Sequence, residues 1–183
     1  MEDGESSYRR FLAGDNEGLL AIIRAYRPGL ILYLHSIVQD IHTAEELAED
    51  VFLELMVKRP RFTGRSSFKT WLYAIGRHLA AKYLRKHARL SVVPLESQAD
   101  LADEEDLERE HIKSEEKRIL HQALYKLDLK YRQVLYLVYF EELSNKEVGI
   151  ILKRSDKQIR DLLYHAKKAL RAELERSGFR DEE

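Results

Sequence analysis

Three observations predict an all-α fold of two small helical domains joined by an acidic linker, with a helix-turn-helix in the C-terminal one. Glycine and proline are scarce, 8 and 3 in 183 residues, so few positions force the chain to break. Apolar residues recur at three- and four-residue spacing almost throughout, and no two-residue alternation persists. Between Glu96 and Glu116, ten acidic residues against two basic ones, Arg109 and Lys113, interrupt that periodicity. The predicted division is residues 1–92, a linker over 93–113, and 114–183.

Taken in order, Asp15 is a plausible N-cap for a helix carrying Leu19, Leu20, Ile22, Ile23 and Tyr26, and Pro28 then starts a second through Leu30, Leu32, Leu34 and Val38. Thr43 and Glu46 have capping-box spacing, ahead of a stripe of Leu47, Val51 and Leu55. After a loop through Pro60 and Gly64, Ser66 or Ser67 opens a long helix with a core stripe of Phe68, Leu72, Ile75 and Leu79, ending near residue 90. Another helix starts near residue 104 and continues through Ile119, Leu120 and Leu124. Ser144 with Glu147 and Ser155 with Gln158 form two capping boxes that mark the starts of two short helices. Val148, Ile151 and Leu152 give the first its buried side; Ile159, Leu162, Leu163, Ala166 and Leu170 do so for the second.

Composition excludes several classes of function. The chain has no cysteine, which removes disulfides, thiolate zinc sites and cysteine nucleophiles, and fits a reducing compartment. No window reaches the roughly 18 apolar residues of a membrane span, and the start MEDGESS is acidic rather than a basic leader. A cytoplasmic protein without membrane insertion, cofactor or metal is expected. Glu108 and His111 form one E-x-x-H pair, but a bundle metal site needs two such pairs with further carboxylates, and no catalytic residue is assigned.

The net charge of −1 hides strong local polarity. Residues 55 to 95 carry ten Lys/Arg and no Asp or Glu, interleaved with Phe62, Phe68, Trp71, Tyr73 and Tyr83. On one flank of the long helix Trp71, His78, Lys82, Arg85 and Arg89 fall within about 60° of each other. A ring at one end of a cationic row suits a nucleic-acid strand, a base stacking on the ring while the row follows the backbone. In the last predicted helix, Lys157, Arg160, Tyr164, Lys168 and Arg171 gather opposite the apolar stripe, as in a major-groove reader. Gln158 and Arg160 are placed to meet base edges; Lys167, Lys168 and Arg171 are placed to meet phosphates.

These features resemble an extracytoplasmic-function sigma factor of the sigma-seventy family. Its region-two pattern appears as TAEELAEDVFLEL followed by RFTGRSSFKTWLYAIGRHLAAKYLRK. Its region-four pattern appears as LDLKYRQVLYLVYFEELSNKEVGIILKRSDKQIRDLLYHAKKALRAEL. The resemblance implies that the chain binds core RNA polymerase and directs promoter recognition, promoter melting and transcription initiation, with no chemistry of its own. It also implies that Glu45, Glu46, Leu47, Glu49, Asp50 and Phe52 hold the beta-prime clamp. Phe62, Arg65, Phe68, Trp71, Arg77, His78, Lys82, Arg85 and Lys86 would then handle the minus-ten element. Ser155, Lys157, Gln158, Arg160, Tyr164, Lys167, Lys168 and Arg171 would read the minus-thirty-five element, in a domain that also docks on the beta flap. An anti-sigma partner is a further implication.

The chain departs from the family pattern at several positions. His78 and Lys82 stand where Asn and Asp are common, Lys153 replaces the turn glycine, and His165 replaces a frequent Arg. Asp128 stands where Pro is frequent, and Glu49 and Met56 replace Gln and Trp. A helix-turn-helix regulator working without polymerase explains residues 144 to 171 equally well but leaves the acid-free aromatic segment without a role.

Overall fold

A computed structural model of the protein describes residues 3–90 and 115–177. Helix α1 spans Gly4–Leu12, α2 Asn16–Val38, α3 Ile41–Lys58 and α4 Phe68–Leu90. Helices α5 Glu115–Tyr125 and α6 Leu129–Leu135 follow, then a π-helical segment Tyr136–Phe140, α7 Asn145–Leu152 and α8 Asp156–Arg176. The predicted linker over 93–113, and with it Glu108 and His111, lies outside the described residues.

The first four helices differ from expectation in three ways. α1, capped by the Asp3 side chain on the Ser6 amide at 2.7 Å, was not predicted; it buries Tyr8 and Phe11 against the rest of the domain. The two helices expected on either side of Pro28 are one, α2, with Pro28 inside it. A helix-internal proline leaves the carbonyl four residues back without its amide partner. Here Pro28 and Arg24 both lie on the exposed face, so water can take over that bond while Ile22, Leu30 and Leu34 pack the opposite side. α3 begins three residues earlier than expected, because Asp40 rather than Thr43 is the cap, accepting from the Thr43 amide at 2.7 Å. Ser67 opens α4, its hydroxyl accepting from the Thr70 amide at 3.2 Å.

In the C-terminal half both predicted capping boxes are present, on α7 and α8. Lys153 between them is left-handed, φ 55°, ψ 49°. The turn therefore keeps the geometry that a glycine usually supplies, at a cost of about 1–2 kcal/mol for a residue with a Cβ. Gly149 meets the other demand of this turn: a Cβ there would lie 2.6 Å from the Arg154 carbonyl oxygen.

The two halves share one core, and a polar seam lines their junction. Tyr33 stacks on Tyr73 and meets Tyr136 across the junction, with its hydroxyl donating to Gln133 Oε1 at 3.2 Å. Arg132, only 6% exposed, sends Nε to the Ser36 carbonyl in the last turn of α2 and Nη1 to the carbonyls of Tyr125 and Leu127 at 3.0 and 3.3 Å. One guanidinium thus satisfies carbonyls at the C-terminal ends of α2 and α5, where a cation is favoured. The Tyr125 hydroxyl meets His35 Nδ1 beside it, and Gln39 Nε2 donates to the Tyr125 carbonyl at 3.1 Å. At the other end of the seam Lys69 Nζ lies 2.8 Å from Glu141 Oε2, the Tyr73 hydroxyl donates to the same oxygen at 2.9 Å, and Lys69 also donates to the Glu141 carbonyl at 2.9 Å. Burial, with the Glu141 carboxylate alongside, pushes the Tyr73 hydroxyl upward, so it remains a donor.

Candidate nucleic-acid interface and an acidic groove

The α8 surface follows from the helical period. Ile159 and Ala166 are buried, and Lys157, Arg160, Tyr164, Lys168 and Arg171 are all exposed, Tyr164 at 67%. Ser155 and Gln158 at the helix start are exposed as well, but Gln158 Oε1 accepts from the Ser155 amide at 2.9 Å. A bidentate adenine contact would use the second lone pair of that oxygen together with the amide NH2, and so shares the oxygen with the capping bond. Arg160 is ion-paired with Asp156 one turn back and must exchange that partner for a base. Lys167 is exposed but lies over the Tyr139 ring, 5.4 Å from its centroid, rather than in the row with Lys168.

The α4 surface is less uniform than the sequence suggests. His78, Lys82, Arg85, Lys86 and Arg89 are exposed along one side, and Arg65 is exposed in the preceding loop. Phe68, in contrast, is 5% exposed and belongs to the core, consistent with its place in the apolar stripe. Arg77 is half-buried, with Nε enclosed and unpartnered among the described residues, so its head is partly withdrawn from the surface. Trp71 and Phe62 are half-buried; with Tyr8 and Phe68 they form an aromatic cluster in which Trp71 lies 5.2–5.4 Å from each ring. Trp71 is thus neither free nor fully enclosed, held at an angle to its three neighbouring rings.

The third surface is a groove between α2 and α3. Leu19, Ile23, Phe52, Leu53 and Met56 line it, and Glu46, Glu49, Asp50 and Arg27 stand around it. Leu53 and Met56 are 49% and 47% exposed, and Val57 at 69% continues the apolar strip. Glu49 meets Arg27 at 3.5 Å and Glu45 meets His42 at 3.9 Å. Leu47, expected on this surface, is 6% exposed and packs into the core; Phe52, also 6% exposed, lines the groove. Sequence reading missed Leu19, Ile23, Arg27 and Leu53 as lining residues. The available signal was the surplus of apolar residues on α2 beyond one stripe, Leu19 and Leu20 followed by Ile22 and Ile23.

Glu147 connects two of these surfaces. It closes the α7 capping box and also accepts from Ser67 Oγ and Thr70 Oγ1, at 3.1 and 3.3 Å, at the start of α4. Burial pushes its carboxyl upward, but the hydrogen bonds from Ser144, Ser67 and Thr70 outweigh it and hold the group below the usual range.

A helix-turn-helix with an exposed cationic second helix, paired with a helical domain bearing its own cationic helix and an acid-rimmed groove, has the architecture of a two-domain DNA-binding protein. The sequence comparisons identify the class. Residues 22–90 match the family model for sigma-70 region 2, and residues 117–170 match that for sigma-70, region 4. The RNA polymerase sigma factor YlaC of Bacillus subtilis is 30% identical over 168 residues, covering 88% of this chain and 94% of that protein. The ECF RNA polymerase sigma factor SigW of the same organism is 28% identical over 171 residues, covering 88% and 91%. In fold, the sigma factor RpoE of Bartonella quintana, solved with the anti-sigma factor NepR, superposes with a TM-score of 0.69 at 21% identity over 85% of this chain and 95% of that one. CnrH, solved with the cytosolic domain of CnrY, gives 0.67 at 19% identity over 92% and 95%. The chain belongs to the sigma-70 family of RNA polymerase sigma factors, in its extracytoplasmic-function group. Its function is that of a transcription initiation factor that recognises promoters.

Proposed function

We propose that the three surfaces divide the work of initiation. The acid-rimmed groove between α2 and α3 takes the beta-prime clamp of core polymerase: its apolar floor suits one face of an amphipathic helix, and Glu46, Glu49 and Asp50 suit basic residues beside that face. The exposed row of His78, Lys82, Arg85 and Lys86 on α4, with Arg65 in the loop, follows the backbone of a minus-ten strand. The exposed part of Trp71 and Phe62 supports a base drawn from the duplex. Flipping a base costs a few kcal/mol, and a stack on an aromatic returns about 1–3 kcal/mol, so ring and cations together balance that cost. Residues Ser155 to Arg171 of the α8 surface read the minus-thirty-five element, and the same domain meets the beta flap. An anti-sigma partner fits the same groove by the same chemistry.

The observation that carries this reading is the coexistence of two exposed cationic helices, one per domain, with an apolar groove whose rim has the opposite sign. The decisive experiment reverses charge at Glu46, Glu49 and Asp50 together. The expected result is loss of core-polymerase binding and of promoter-directed transcription with an unchanged melting temperature. Undiminished binding to core would overturn the assignment of the groove.

A further inference from the structure

We propose that Asp161 is a specificity-determining residue: its carboxylate faces the floor of the major groove and accepts a hydrogen bond from the N4 amino group of a cytosine in the minus-thirty-five element. This rests on the reading of the α8 surface given above and deepens it.

The place of Asp161 on α8 carries the argument. Ile159 and Ala166 are buried and Leu162, Leu163 and Leu170 half-buried, which fixes the inward direction of the helix. At about 100° per residue, Asp161 lies within about 25° of the opposite direction, with Lys157 one turn before it and Lys168 two turns after. Its side chain is exposed, in the N-terminal half of the helix, where a recognition helix meets base edges. The other acid between residues 156 and 171 is Asp156, which lies well to one side of that line and is ion-paired with Arg160.

Two local reasons for an acid on a helix do not apply to Asp161. The partial positive charge of a helix N-terminus acts within the first turn; it favours Asp156, the first residue of α8, whereas Asp161 is in the second turn. Lys157 and His165 are spaced for an i,i+4 pair with Asp161, yet among the described residues no hydrogen bond or ion pair engages its carboxylate. An anion there opposes the attraction of Lys157, Arg160, Lys168 and Arg171 for the DNA backbone. That opposition is offset where the carboxylate meets a donor.

The major groove offers two donors, adenine N6 and cytosine N4. In an A·T pair the donor stands between two acceptors, adenine N7 and thymine O4, and both repel a carboxylate. In a C·G pair the donor has an acceptor on one side only, guanine O6. The carboxylate therefore selects cytosine, and rejects guanine and thymine at the same position because each presents acceptors there.

The test is promoter selection by the full chain loaded on core polymerase, from duplexes randomised over the minus-thirty-five region. Wild type should prefer cytosine about tenfold at one position, the discrimination of a single base-pair contact. Asp161→Asn carries a donor as well as an acceptor and should move that preference to adenine, whose N6 and N7 it can meet together. Asp161→Ala should erase the preference at that position alone and tighten binding to duplexes of scrambled sequence, since an anion is gone. Lys168→Ala, for comparison, should keep the cytosine preference while weakening every sequence. Asp161 is exposed and unpaired, so its variants should melt with the wild type. If wild type selects a defined sequence with no cytosine position, or if both Asp161 variants keep the wild-type preferences, the inference fails and the α8 reading stands. If wild type selects no sequence in this region, the α8 reading fails and the role of Asp161 falls with it.

Discussion

Acidification should loosen the junction through His35, by an amount that can be worked out. His35 lies on α2 in the seam, its Nδ1 meeting the Tyr125 hydroxyl. Burial, chiefly, with Arg132 and His121 adding repulsion and Asp40 opposing, holds it down from 6.5 to about 4. Arg132 lies on α6, His121 and Tyr125 on α5, and Asp40 just beyond the end of α2. The folded junction therefore favours neutral imidazole: its contribution is fully present above about pH 6.5 and is lost as pH falls from there toward 4. Across the whole range that amounts to about 3 kcal/mol; between pH 8 and pH 5.5 it is about 1.4 kcal/mol, or tenfold in the folding equilibrium. Denaturant unfolding at the two ends of that interval, at constant salt, should show stability lower by about 1.4 kcal/mol at pH 5.5. His35→Gln retains an acceptor for Tyr125 but cannot titrate, and should give a flat response. A wild type insensitive to pH between 8 and 5.5, or a His35→Gln variant as sensitive as wild type, would refute the reasoning.

Replacing Arg160 with alanine should change which minus-thirty-five sequence is selected, while Lys168→Ala should weaken all sequences evenly and lower the salt slope by about one; binding titrations on a promoter library at several salt concentrations separate the two. Lys153→Gly should raise stability by about 1 kcal/mol, because the residue sits at φ 55° and glycine removes the Cβ strain; thermal melts decide it, and an unchanged or lower midpoint counts against strain in the turn. Ser155→Ala should cost about 1 kcal/mol through loss of the α8 cap, whose hydroxyl accepts from the Gln158 amide at 3.2 Å, with denaturant midpoints as the measure.

What the sequence made legible was local. The capping boxes at Ser144 and Ser155 and the apolar stripe of α8 each lie within a few turns of chain, and all are present. Where the local rule met tertiary packing, packing prevailed. Pro28 signals a helix start, yet α2 runs through it because Ile22, the half-buried Tyr26 and Leu30 hold one face of the helix against the core on both sides of the proline, and the broken bond faces water. Thr43 and Glu46 have the spacing of a capping box, yet Asp40 captures the Thr43 amide first. α1 was missed because its short apolar face, Tyr8 and Phe11, gives too few repeats to stand out beside Glu5, Arg9 and Arg10.

The junction was illegible for a different reason. Arg132 and Ser36 are 96 positions apart, Tyr73 and Glu141 are 68, and Lys69 and Glu141 are 72. Each side reads by itself as ordinary surface: Lys69 is one cation among ten in its segment, and Arg132 is a basic residue near the end of a short helix. Helical periodicity reports which residues leave water together on one element. It carries no information about a single charged residue buried by an element from the other end of the chain. A glycine can betray such a contact, since its cost within a helix calls for a neighbour that needs the space. Gly29 fits that account, with Tyr73 and Glu141 filling the volume its side chain would take. If that is the reason for the residue, Gly29→Ala must destabilise the protein although it lengthens the run of good helix formers in α2. A Gly29→Ala variant with a raised melting temperature would show that the space beside Tyr73 and Glu141 is not what the glycine serves.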